Sequence, residues 1–266
     1  MADLPSLLVP IKEFRDKLLA GKFCMGCGVT LSDSVITEVI APCADFIWID
    51  LEHSHLTLET VMGHLIAARV REVPVMVRVR DSSIASIKSL LDIGAQGIVV
   101  PQVNSAAEAR HVMETCRYVP LGKRGVGPRR ASDYGRDDLA EYVAAANDYV
   151  FVTVQVETAA ALEEIDGFVS IDGIDSICIG PHDLAVSLGY PGETNHPRVV
   201  EAMQTIIDKT RAAGKFVGMG MPANPQQPLD AARMGVHWVQ CGDDFDYMRS
   251  FADNFFTQVR QQLAKS

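Results

Sequence analysis

Short, nearly continuous apolar runs recur along the chain at residues 23–29, 45–51, 74–79, 97–103, 150–156, 176–179, 216–221 and 236–241. They are rich in β-branched residues, the texture of strands buried on both faces. Between them lie stretches whose apolar residues repeat at helical spacing, at 33–41, 57–69, 83–93, 105–116, 158–169, 198–213, 225–234 and 245–263. Several of these open on a capping residue, as Ser105 does with Glu108 three positions on. Glycines such as Gly94 and Gly214 follow helix ends and suit left-handed C-caps.

Eight strand–helix alternations in about 250 residues predict a (β/α)8 TIM barrel. A doubly wound open sheet shares the same periodicity, which does not reveal closure. No Pro/Gly/Ser-rich linker divides the chain, so residues 1–266 read as one domain. One stretch breaks the rhythm. Residues 118–136 form a long loop that, with neighbouring Arg117, holds five of the 16 arginines. A loop of that length predicts an ordered binding or subunit-contact element, and residues 123–130 are positive groups expected to meet an anion.

Composition narrows the function classes. The 266 residues are 48% hydrophobic with a formal net charge of −10, an ordinary balance for a folded soluble protein. Nucleic acid is a poor partner for such a surface, whereas a small anion held by local positive groups is compatible with it. No run of 18 apolar residues spans a membrane, and the acidic start lacks a signal-peptide core, so the cytoplasm is the expected location. Cys24 and Cys27 read formally as C-x-x-C. Three residues apart on a strand, they point to opposite faces, and buried reduced thiols are expected.

In a barrel the chemistry sits where strands end at their C-termini. Those ends carry Asp50-Leu51-Glu52-His53-Ser54-His55, then Arg78 and Arg80, then Gln155-Val156-Glu157, then Gly180-Pro181-His182-Asp183. Burying such groups without partners is costly, so four polar strand ends that converge point to a site. Glu157 and Asp183 are the candidate metal ligands; hard carboxylate oxygens suit Mg²⁺ or Mn²⁺. The alternative is a pair of ordinary strand-end carboxylates, Asp183 capping a helical run. His53-Ser54-His55 could start a zinc-hydrolase site, but of the other histidines only His182 is suitably placed. His53 as a lone acid–base group is the better reading. None of the eight lysines lies at a strand's C-terminal end, which excludes a Schiff-base aldolase.

The stretches IDLEHSHLT, PVMVRV, LLDIGAQGIVVPQVNS, GKRGVGPRRASDYG, VQVET and IGPHDLAVSLGYPG follow in that order between residues 49 and 192, within a likeness that runs from about residue 22 to 245. In them the chain resembles the HpcH/HpaI family of metal-dependent class II pyruvate aldolases, typified by 4-hydroxy-2-oxoheptane-1,7-dioate aldolase. The resemblance implies a barrel that swaps its last helix with a neighbour and assembles as a trimer of dimers. It also implies a divalent ion (Mg²⁺, Mn²⁺ or Co²⁺) on Glu157 and Asp183, and no organic cofactor. Arg78 would contact pyruvate and stabilise its enolate, and His53 would act as acid–base with Asp92 orienting its ring. Gln155 would support metal or substrate, and backbone N–H groups around His182 and Asp183 would hold the pyruvate carboxylate.

The implied activity is reversible cleavage of a 4-hydroxy-2-oxo acid to pyruvate and an aldehyde. Two departures touch the acceptor side. His182 replaces a small residue common before the aspartate, and His55 and its neighbours replace a Pro-containing turn. The same enolate serves two alternatives, oxaloacetate decarboxylation and a citrate-synthase-like or macrophomate-synthase-like condensation. A barrel that lost its chemistry and serves as a binding protein is a third reading, disfavoured by the complete set Arg78, Glu157 and Asp183.

Overall fold

The computed structural model describes residues 4–265. Eight parallel strands, β1 (Cys24–Val29), β2 (Phe46–Asp50), β3 (Val75–Arg78), β4 (Gly97–Val100), β5 (Phe151–Val156), β6 (Ser176–Ile179), β7 (Phe216–Met221) and β8 (Trp238–Asp243), close in sequence order, β1 pairing with β8. Closure decides between the barrel and the open sheet. Nearly every strand residue is buried because one face meets the barrel interior and the other the helices.

The helices are α1 (Val9–Leu19), α2 (Val35–Ile40), α3 (Leu58–Val70), α4 (Ile84–Asp92), α5 (Ala106–Cys116), α6 (Leu139–Tyr149), α7 (Ala159–Glu163), α8 (Ile165–Val169), α9 (Pro181–Ser187), α10 (Pro197–Ala212), α11 (Gln226–Met234) and α12 (Asp244–Leu263). Ser105 caps α5 as its spacing predicts, accepting from Glu108 N at 3.2 Å. The stretch expected as one helix at 158–169 is two, broken at Glu164. β4 stops at Val100 rather than residue 103 because Pro101 has no N–H for the ladder. β8 runs two residues beyond its expected end. Gly242 takes φ +66° there, and the register against β1 shifts between Gly26 and Gly28.

The N-terminal rim is closed by α1, whose Phe14 packs edge-on against Phe46 and Phe151 at 5.3 and 5.5 Å. Of the arginines at 117–136, Arg117, Arg124 and Arg130 are tied down at this rim and are not free for an anion, whereas Arg129 and Arg136 stay at the surface. Arg124 is buried, bonded to Asp92 at 3.0 Å and stacked over Tyr118 at 4.5 Å. Arg130 donates to the carbonyls of Ile93 and Leu65, both at 3.1 Å. Arg117 reaches Asp175 at 2.9 Å. Their role is to tie loop to barrel.

Cys24 and Cys27 are buried, and burial pushes the Cys24 thiol up to about 12 and the Cys27 thiol higher still. Among the described residues, no helix is long and apolar enough to cross a membrane.

Candidate active site

Three polar strand ends meet at the C-terminal rim. Asp50 and Arg78 are register neighbours on β2 and β3. Their side chains form a bidentate pair, Nε to Oδ1 at 2.9 Å and Nη2 to Oδ2 at 2.6 Å. The remaining Arg78 nitrogen, Nη1, lies 3.2 Å from Glu52 Oε2, and the guanidinium sits 5.6 Å from the Trp48 ring centre. Burial pulls the Arg78 pKa down, but Asp50 and Glu52 outweigh it and raise it. Asp50 Oδ1 also accepts the backbone N–H groups of Glu52 and His53, at 2.9 and 3.3 Å. That turn lifts the His53 ring to the mouth, where its side chain is 62% exposed and Nε2 lies 3.5 Å from Glu52 Oε2.

Across the barrel, Glu157 is 1% exposed at the end of β5. Its Oε1 accepts Gln102 N at 2.7 Å, an N–H aimed by the left-handed backbone of Gln102 at φ +56°. Its Oε2 accepts from Gln155 Nε2. Gly180 lets this pair close up, since a Cβ there would fall 2.6 Å from Glu157 Oε2. Burial pushes Glu157 up to about 7; the Gln102 N–H opposes the shift, and Glu52 and Asp183 add to it.

Arg78, Gln155, Asp183, His53 and His182 line one cavity of ≈380 Å³ with Trp48, Gln240, Asp243 and Asp246, within the range of small-ligand sites. Asp183 and His182 are exposed in the first turn of α9. Asp243 is pushed up to about 6 by burial, then by Asp50, Asp244 and Asp246. Glu52 is also raised, by burial against the opposing pull of Arg78.

Other candidates lie elsewhere. Arg80 donates to Leu56 O at 2.7 Å, outside this cavity, and His55 does not line it. Asp92 ends α4 at the opposite rim, bound to Lys88 at 2.8 Å and Arg124 at 3.0 Å. Within one chain it does not reach His53, and the carboxylate beside that ring is Glu52.

The sequence placed Asp50 and Glu52 at a polar strand end without giving them a role, and Trp48 and Asp243 were passed over. Asp50 and Trp48 had a readable signal: two apart on β2, they share the inward face. Asp243 had none, because its strand appeared to end at Cys241.

Among the described residues, no three His, Cys, Asp or Glu side chains form a ready metal cage. The rim nonetheless fits a hard cation. Its carboxylates outnumber its one guanidinium, and Gln155 Oε1 is buried in the cavity wall without a partner.

Comparison with known proteins makes this barrel a carbon–carbon lyase. The model of the HpcH/HpaI aldolase/citrate lyase family matches residues 30–249, and the chain belongs to that family. It is 40% identical over 215 residues to a 4-hydroxy-2-oxovalerate aldolase of Rhodococcus jostii, covering 80% of this chain and 83% of that one. It is 37% identical over 234 residues to a 2-keto-3-deoxy-L-rhamnonate aldolase of Salmonella gallinarum, covering 87% and 86%. The crystal structure of an HpcH/HpaI aldolase from Desulfitobacterium hafniense superposes with a TM-score of 0.87 at 29% identity, covering 92% and 96%.

Proposed function

We propose that the protein reversibly cleaves a 4-hydroxy-2-oxo acid to pyruvate and an aldehyde, with a divalent cation, Mg²⁺ or Mn²⁺, held by Glu157 and Asp183. The observation that carries this reading is the excess of carboxylates over one fixed guanidinium at a single rim. When bound, such an ion polarises the 2-oxo group and its carboxylate. Gln102 N–H and Gln155 fix the Glu157 carboxylate that would hold it. Arg78, already locked by Asp50, presents positive charge where the enolate oxygen develops. The backbone at His182 and Asp183 receives the pyruvate carboxylate.

In cleavage, His53 takes the proton of the C4 hydroxyl, the C3–C4 bond breaks, and its electron pair becomes the pyruvate enolate as the aldehyde leaves. A proton then returns to C3. Addition runs the same steps backwards and needs no other reactant.

Exchange of the pyruvate C3 protons in D2O, followed by NMR, tests this directly. With Mg²⁺ or Mn²⁺ exchange is expected, and EDTA should abolish it. Glu157→Ala and Asp183→Ala should each slow it by about 10³-fold. Exchange that ignores EDTA and both substitutions would sink the metal assignment.

We also assign the chain a homo-oligomer, a trimer of dimers with its last helix exchanged, in the cytoplasm. Two features support the exchange. α12 leaves Phe245, Met248, Phe251, Phe255 and Phe256 between 43% and 72% exposed. An apolar groove of ≈490 Å³ between α2 and α11, over β1 and β8, lies where an eighth barrel helix would pack. Sedimentation should read six chains; a monomer at micromolar concentration would refute this assembly.

A further inference from the structure

The reading above uses the arc of the mouth formed by β2, β3, β5 and β6. The remaining arc, β7–β8–β1, is built differently. Of the described residues lining the cavity, Arg78 is the one Lys or Arg, and it is already shared between Asp50 and Glu52. The free arc instead presents Asp243, with Asp246 one turn on. The Asp243 carboxylate is a built feature. Its Oδ1 accepts Gln240 Nε2 at 3.1 Å, and the same amide donates to Gly242 O at 2.8 Å. The left-handed Gly242 turns the strand end so that Asp243 comes to lie over Gly28. A Cβ on Gly28 would overlap that carboxylate and approach Gln240 Nε2 to 2.6 Å.

Asp243 also caps α12, its side chain accepting the Asp246 N–H; a carboxylate accepts up to about four hydrogen bonds, so these two partners leave it with capacity for a donor in the cavity. The complementary group on an aldehyde is a hydroxyl. A second carboxylate on the aldehyde would instead meet Asp243 and Asp246, and on this arc no Lys or Arg offsets them.

We propose that Asp243, positioned by Gln240 over Gly28, binds a hydroxyl of the acceptor aldehyde, so that the second substrate is a neutral hydroxyaldehyde and not an aldehyde acid. This rests on the pyruvate-aldolase reading and deepens it.

The test uses three two-carbon aldehydes that differ only in the second carbon: glycolaldehyde, acetaldehyde and glyoxylate. Each is added to pyruvate with Mn²⁺ and the full-length protein, and ratios of kcat/KM cancel much of their intrinsic reactivity when variants are compared. The wild type should prefer glycolaldehyde to acetaldehyde by about 10-fold or more. Asp243→Val should lower that ratio by about 10- to 100-fold. Asp243→Asn, which keeps the shape and the helix-capping oxygen, should raise the glyoxylate-to-acetaldehyde ratio by about 10-fold. If Asp243→Val does not fold, the Asn variant alone decides. Wild-type C3 exchange with ratios unmoved beyond about twofold would overturn the acceptor assignment and leave the aldolase reading standing. Absence of that exchange in the wild type would overturn both.

Discussion

At the N-terminal rim, buried charge ends on its opposite. Asp175 takes both Arg15 and Arg117 as well as the Val152 N–H at 2.8 Å, and Asp92 takes Arg124 and Lys88. At the C-terminal rim, Asp50 and Glu52 take the one arginine that lines the cavity, while Glu157, Asp183 and Asp243 make no ion pair with a Lys or Arg among the described residues. The two rims are made of the same residue types, so residue chemistry alone does not distinguish stability from function. Compensation does. A paired rim holds the fold together, whereas an uncompensated rim stores repulsion that a cationic ligand can relieve.

The sharpest way to break this contrast is at the paired rim. Asp175→Ala strands Arg117, which is 2% exposed, and should cost about 3–5 kcal/mol in urea unfolding. Exchange per folded molecule should change little; a stability loss below about 1 kcal/mol would mean that the pairing carries no weight.

The unpaired rim should respond to pH in the opposite sense from an ordinary ion pair. Glu157 holds its proton more tightly folded, with its pKa up to about 7 against an ordinary value of 4.5. Its contribution is therefore present below the unfolded pKa and lost as pH rises through about 7. In EDTA, stability should fall between pH 4.5 and pH 8 by something on the order of 3 kcal/mol, with Asp243 acting in the same direction. Mn²⁺ should restore much of it at pH 8, and Glu157→Gln should flatten the profile. A metal-free protein equally stable at both ends would sink the account.

Periodicity exposed the barrel readily because parallel strands buried on both faces are written as continuous apolar runs, from 23–29 onward. Short elements were harder: α9 has seven residues, too few to show a helical period. Within the site, Arg78, Gln155 and Glu157 were legible as polar ends of apolar strands. Asp92 was not placeable, because which end of a helix faces which rim emerges only with the fold. The buried roles of Arg117, Arg124 and Arg130 were hidden for the same reason. A cluster of positive charge in a sequence looks the same whether it awaits a ligand or already has Asp92 and Asp175 as partners.

The chain's two tryptophans divide between these worlds. Trp238 is fully buried, with its N–H on Ser176 Oγ at 3.0 Å, while Trp48 lines the mouth beneath Arg78, the two rings 6.1 Å apart. One chromophore is thus shielded in the packed interior, and its neighbour lies in the field of the guanidinium that substrate would engage. The barrel carries its own optical gauge: tryptophan emission should follow occupancy of the mouth without any label, and Trp48→Phe should remove the response.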